Sequence, residues 1–212
     1  MTLKHNVKFQ NFLIAFLVAA LLFFSGLFLG FQITSFKINK ISSEQNSLSI
    51  NLEALELRYE LLEKNICNDQ VLNEVARELD EMGKRLSDIE RYGKDKNVEK
   101  LEEEYFLLEI RHYLLLKRTE EVCGKDFYLV LYFYSVDCKE CNEQGYILGY
   151  IQNKVGYDKM KIYSFDFNSK SPAVKTLVEI HKIKNLPAIV INDESYEGFK
   201  NLEALQNIVG NV

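Results

Sequence analysis

An α/β fold at the C-terminal end, preceded by helices, is predicted by three observations. Residues 127–134 form a continuous apolar and aromatic run, as expected of a strand covered on both faces. Strand-like and helix-like stretches then alternate to the end of the chain. Over 44–124 the apolar residues recur instead at steps of three and four, the period of amphipathic helices.

The chain of 212 residues suits one domain with appendages, or two small ones. Its net charge of −5 comes mostly from 37–124, while 125–212 is nearly balanced. No basic stripe runs along the sequence, so nucleic acid is not an expected partner.

After a short tail over 1–11, residues 12–33 are uncharged and almost wholly apolar. As a helix they would extend roughly 33 Å, enough to cross a bilayer. The run is too long for the core of a cleaved signal peptide, and no small-residue cleavage site follows it. The expectation is a transmembrane helix acting as a signal anchor in the lipid bilayer. The protein would be single-pass, with its C-terminal domain outside the cytoplasm. Lys4 and Lys8 before the span balance Lys37 and Lys40 after it, so charge asymmetry says little about orientation. Ala19, Gly26 and Gly30 share one helical face, a pattern compatible with a homodimer and also common in membrane helices generally.

From Leu48 the apolar positions run Leu52, Leu55, Tyr59, Leu62 and Ile66, then resume at Leu72, Val75, Leu79, Met82, Leu86 and Ile89. A one-residue phase slip separates the two series at Cys67-Asn68-Asp69. It marks a turn with Asn68 or Asp69 as the next N-cap, or a skip in one long coiled-coil helix. Gly93 stops the second series. A third runs from Val98 through Leu101, Tyr105, Leu108, His112 and Leu115, and stops at Gly124. The expectation for 44–124 is a helical hairpin or three-helix stalk, coiled-coil-like, running up, down and up. Cys67 and Cys123 then fall at the same end. They are a candidate structural disulfide, or two part-buried thiols that behave as small hydrophobes. His112 reads as a packed, hydrogen-bonded side chain, since no carboxylate or cysteine accompanies it at metal spacing.

In the region 125–212, the strand over 127–134 leads into Cys138-Lys139-Glu140-Cys141 and then a helix over 142–153. Strands are expected over 160–167, 187–191 and 195–197. Helices are expected from Ser171-Pro172 to about 181 and over 202–209, the latter capped by Asn201. The order is β-α-β-α-β-β-α. Two thiols separated by two residues can close a small disulfide ring. The first of them lies near a helix N-terminus, where the positive end of the helix dipole favours thiolate. No second short-spaced cysteine pair exists, so no metal is expected.

This order resembles the thioredoxin-like superfamily, with its C-x-x-C after the first strand and Pro187 in Asn185-Leu186-Pro187-Ala188 opening the third. The resemblance covers about 125–212. It implies a C-x-x-C thiol–disulfide oxidoreductase with Cys138 as nucleophile and Cys141 as resolving thiol. Pro187 would be cis, and Leu186 and Pro187 would line the substrate groove. No cofactor is implied, since the electrons reside in the cysteine pair. Partners would be protein thiols or disulfides and a membrane or soluble redox partner. Three departures stand out. Asp137 takes the place of a common Trp and should oppose thiolate at Cys138. Tyr132 stands where thioredoxins have a buried acid, and tyrosine is a poor proton acceptor at neutral pH. Lys-Glu replaces Gly-Pro between the cysteines. A non-redox adaptor whose helical stalk binds a partner or dimerises is the alternative function.

Overall fold

The computed structural model describes residues 3–62, 66–93 and 95–210, and within 3–41 the side chains of 14–28 only. It divides into two units, Met1–Ser47 and Leu48–Val212. Helix α1 runs Leu3–Leu62.

In the first unit the apolar side chains of 14–28 are mostly exposed. Among the described residues, no helix is long and apolar enough to cross a membrane. This corrects the expected transmembrane helix over 12–33 and the single-pass membrane placement drawn from it. Residues 12–13 and 29–33 of that stretch, Gly30 included, lie outside the described side chains.

The expected α/β class with a spanning helix is corrected with it. The structure is mostly helical and carries a small mixed sheet of four strands. Within the second unit, the helices ahead of the sheet share one apolar cluster with a face of it.

In the second unit, α1 contributes its end, α2 spans Asp69–Glu90 and α3 spans Lys96–Cys123. Local chemistry sets the boundaries. Asn68 accepts from Val71 N through its side chain, starting α2. Asp95 accepts from Asn97 N and Val98 N, both at 2.9 Å, starting α3. Gly124, at φ 64°, ends α3 in the left-handed conformation that costs glycine nothing. Every apolar position of the 72–89 series is buried. α2 and α3 pack closely at Gly83, where any Cβ would collide with the Tyr105 ring.

The sheet holds β1 (Tyr128–Tyr134), β2 (Met160–Asp166), β3 (Ala188–Ile191) and β4 (Glu194–Glu197), in the order β2-β1-β3-β4. β1 pairs parallel with β2 and antiparallel with β3, which pairs antiparallel with β4. Between them lie α4 (Cys141–Val155) and α5 (Pro172–Ile180), and α6 (Leu202–Val209) ends the fold. Alternation along β1 sorts its side chains between two layers. Leu129, Leu131 and Phe133 join one apolar cluster with α1, α2, α3 and α5. Val130 and Tyr132 join a second with α4 and α6. Both faces of β1 are therefore buried, which explains its unbroken apolar sequence. The β3–β4 turn places Asn192 and Asp193 at positive φ. Asp193 accepts from Lys117 Nζ at 2.6 and 2.7 Å and from Tyr113 O–H at 3.4 Å, tying the turn to α3.

Candidate functional site

β1 ends at Tyr134, and the chain turns through Ser135 to Glu140 before α4 begins. Two backbone hydrogen bonds shape that turn: Cys138 N donates to Ser135 O at 3.2 Å, and Cys141 N to Cys138 O at 3.3 Å. The geometry brings the two thiols together. Cys138 and Cys141 form a disulfide with a Cα separation of 5.4 Å. Cys141 is the first residue of α4 and is buried at 3 % exposure, while Cys138 is only half-buried. One sulfur-bearing residue is thus within reach of a partner and the other lies behind it.

Around the pair, Asp137, Lys139 and Glu140 are exposed, and Val136 is 89 % exposed. Cys141 belongs to the apolar cluster under α4, and both Cys138 and Leu186 pack against that cluster. Leu186 is half-buried and Pro187 buried, and the peptide bond between them is cis. Two hydrogen bonds to Glu197 hold the chain ahead of them. Its carboxylate accepts from Lys184 N and from Asn185 Nδ2, each at 2.6 Å. The Asn185 and Lys184 hydrogen bonds keep the Glu197 carboxyl below its ordinary range.

Tyr132 lies under the start of α4 and donates its hydroxyl proton to Cys141 O at 2.5 Å. Burial pushes this hydroxyl up to about 12, so at neutral pH it donates and does not accept a proton. The ring stacks on Tyr134, with centroids 5.8 Å apart. Tyr132 therefore serves as an anchor for the first turn of α4.

Gln144 is a positioning residue that sequence reasoning missed. It is fully buried in α4, accepts from Lys200 N at 2.7 Å and donates to Lys200 O at 3.2 Å. It clamps the start of α4 to the segment ahead of α6. A glutamine in an amphipathic helix carries no signal of this kind, because its partner is 56 residues away.

Cys67 and Cys123 are also joined, with a Cα separation of 5.7 Å. Lys125 donates to Cys67 O at 3.2 Å and pairs with Asp69 beside the bond. His112 is buried, with Nδ1 2.9 Å from the Tyr163 hydroxyl. Among the described residues, no group of three or more His, Cys, Asp or Glu side chains is placed to hold a metal.

No family model matches the chain, and no curated protein sequence matches it. Among solved structures the chain is similar to chloroplastic thioredoxin z, at 21 % identity and a TM-score of 0.34. That likeness covers 44 % of this chain and 85 % of that one.

Proposed function

We propose that this protein is a thiol–disulfide oxidoreductase acting on protein thiols or disulfides through Cys138 and Cys141. The observation that carries the reading is the asymmetric burial of this disulfide at the start of α4: Cys138 half-buried, Cys141 at 3 % exposure. In the reducing direction the Cys138 thiolate attacks one sulfur of a substrate disulfide. A mixed disulfide forms and one substrate thiolate leaves. Cys141, as thiolate, then attacks Cys138 Sγ. The second substrate thiolate leaves and the Cys138–Cys141 bond is restored, with two electrons passed to the substrate. Run backwards, the same steps oxidise a dithiol.

Several features support this assignment of roles. The pair lies at the N-terminus of α4, which has no side-chain cap, and the positive end of the helix dipole there favours thiolate. Leu186, beside the half-buried Cys138 on one apolar cluster, would give the substrate chain a surface to lie against, with Pro187 next to it. The electrons reside in the sulfur pair, so the step as written uses no further group.

Trapping tests the assignment. A Cys141→Ser variant incubated with a disulfide-bearing protein should accumulate a mixed disulfide through Cys138, visible as a reductant-sensitive band. Equal trapping through Cys67 or Cys123, with none at Cys138, would sink it.

A second reading, an adaptor that docks a partner helix, is favoured by a stripe on the outer face of α1. Ile50, Leu57 and Leu61 are exposed there at heptad-like spacing. Alkylation separates the two readings, because a Cys138 that resists thiol reagents after reduction would favour the adaptor.

A further inference from the structure

The free edge of β2 carries a polar cleft that thiol exchange does not use. β2 lies at the border of the sheet. Tyr128 N donates to Lys159 O, and Phe167 N donates to Tyr134 O. The odd-numbered residues of β2 therefore turn their peptide groups towards β1. Alternation turns those of Met160, Ile162 and Ser164 away from it. The outer two are capped. Met160 N donates to Gly156 O at 3.1 Å, Met160 O accepts from Gln152 Nε2 at 3.0 Å, and Ser164 N donates to Glu109 Oε1 at 3.3 Å. Ile162, between them, faces a cavity of about 190 Å³.

Two buried polar atoms of residues lining that cavity have no partner: Glu109 Oε2 and His112 Nε2. Glu109 is 3 % exposed and His112 1 %, and they stand one turn apart on the same face of α3. Buried polar groups are normally paired, so two unpaired ones at one cavity call for a cause. Each can present a donor. Glu109 Oε1 accepts from Tyr105 O–H and from Ser164 N, and burial pushes the carboxyl well above its usual range, which favours the protonated acid with Oε2 as its free oxygen. Burial keeps the His112 ring neutral, and in the tautomer where the Tyr163 hydroxyl donates to Nδ1 the ring proton sits on Nε2. Lys161, 4 % exposed, adds a positive charge to the wall, its ammonium donating to Tyr157 O at 2.6 Å and Asn73 Oδ1 at 3.3 Å. Asp80, at the rim, is paired with Lys84 at 3.1 Å. On the α4 side the wall includes Gly145 and Gly149, and a Cβ at Gly149 would meet nothing within 4 Å.

Lys161 brings a positive charge to the space at neutral pH, burial lowering its ammonium to about 8, and Gly149 leaves the α4 side open. We infer that the cleft binds a small monocarboxylate, whose oxygens accept from Glu109 Oε2–H, His112 Nε2–H and Ile162 N–H while Lys161 balances its charge. The volume corresponds to about six water molecules. That limits the guest to acids of a few carbons.

The test titrates the full chain with sodium acetate against sodium chloride at matched ionic strength. It follows the His112 ring nitrogen resonances and the melting temperature. Acetate should shift the His112 resonances saturably and raise the melting temperature, and chloride should do neither. Gly149→Leu fills the cleft without removing a polar group and should weaken acetate binding at least tenfold. Lys161→Met should do the same by removing the charge, which keeps the test decisive if one variant folds poorly. Identical responses to acetate and chloride would overturn the inference. So would wild-type acetate binding in either folded variant.

Discussion

Cys67–Cys123 and Cys138–Cys141 are the same covalent bond in two settings. The first joins residues 56 apart, between the α1–α2 turn and the last residue of α3. The second joins residues 3 apart at the β1–α4 junction. In the chain-entropy account, closing the long loop stabilises the fold by about 4 kcal/mol, and closing the short ring by about 2. A bond that restricts the unfolded chain so much is costly to open. A bond in a tight ring restricts the unfolded chain less, so it can be opened and remade at a smaller cost to the fold. Loop length is what separates the two bonds; exposure does not, since Cys67 is exposed and Cys123 half-buried.

The largest expected effect breaks the comparison if it fails. Cys138→Ser should reduce disulfide exchange by more than a hundredfold, measured as the rate of reduction of a protein disulfide. The same rate measured on a Cys67→Ala/Cys123→Ala double variant should stay within about twofold, because neither residue belongs to the apolar cluster that holds the pair.

Stability should behave in the opposite way. The Cys67→Ala/Cys123→Ala variant should lose about 4 kcal/mol in chemical denaturation. A loss no larger than that of the Cys138→Ala/Cys141→Ala variant would erase the distinction.

Acid unfolding tests whether the helical layer contributes to stability and not to exchange. Desolvation lowers His112 from 6.5 to about 3. Below about pH 6.5 the unfolded chain takes up a proton that the folded ring refuses. Stability therefore falls as pH drops, until the folded ring charges near pH 3. In a His112→Gln variant this part of the acid limb should be flatter by about 1 kcal/mol per pH unit, with the exchange rate unchanged. Glu109 acts in the reverse sense, since its raised carboxyl favours the fold at low pH and loses that contribution as pH rises. It is common to both proteins and cancels in the difference.

The smallest expected effect lies at the Cys138–Cys141 pair. Tyr132→Phe removes the hydroxyl that donates to Cys141 O and should cost about 1 kcal/mol of stability. It should also loosen the first turn of α4, seen as faster amide exchange at Gln144. An unchanged exchange rate there would show that Gln144 and Lys200 hold the turn without help from Tyr132.

Much of the second unit was legible because its signals are local. The run over 127–134 is β1, apart from its first residue, and the phase slip at Cys67-Asn68-Asp69 is a turn capped by Asn68. Asp95 went unnoticed as the cap of α3, although Asp-x-Asn-Val ahead of an apolar series is a readable start. Misreading came where a local pattern had to stand for a distant environment. An apolar run over 12–33 has the composition of a spanning helix, yet no described helix is long and apolar enough to cross a membrane. Gln144 and Glu197 carried no signal, since each becomes a clamp only when another segment arrives beside it.

Local signals in the sequence marked most of the elements of the second unit and showed that two thiols stand three residues apart at a strand-to-helix junction. Periodicity, caps and glycine stops act within a few residues and need no partner. Only the tertiary structure decided that Cys67 meets Cys123, that the helices ahead of the sheet cover one of its faces, and that Glu109, His112 and Lys161 line one cleft. Those outcomes depend on which surfaces bury each other, a property of the packed chain and not of any single stretch of it.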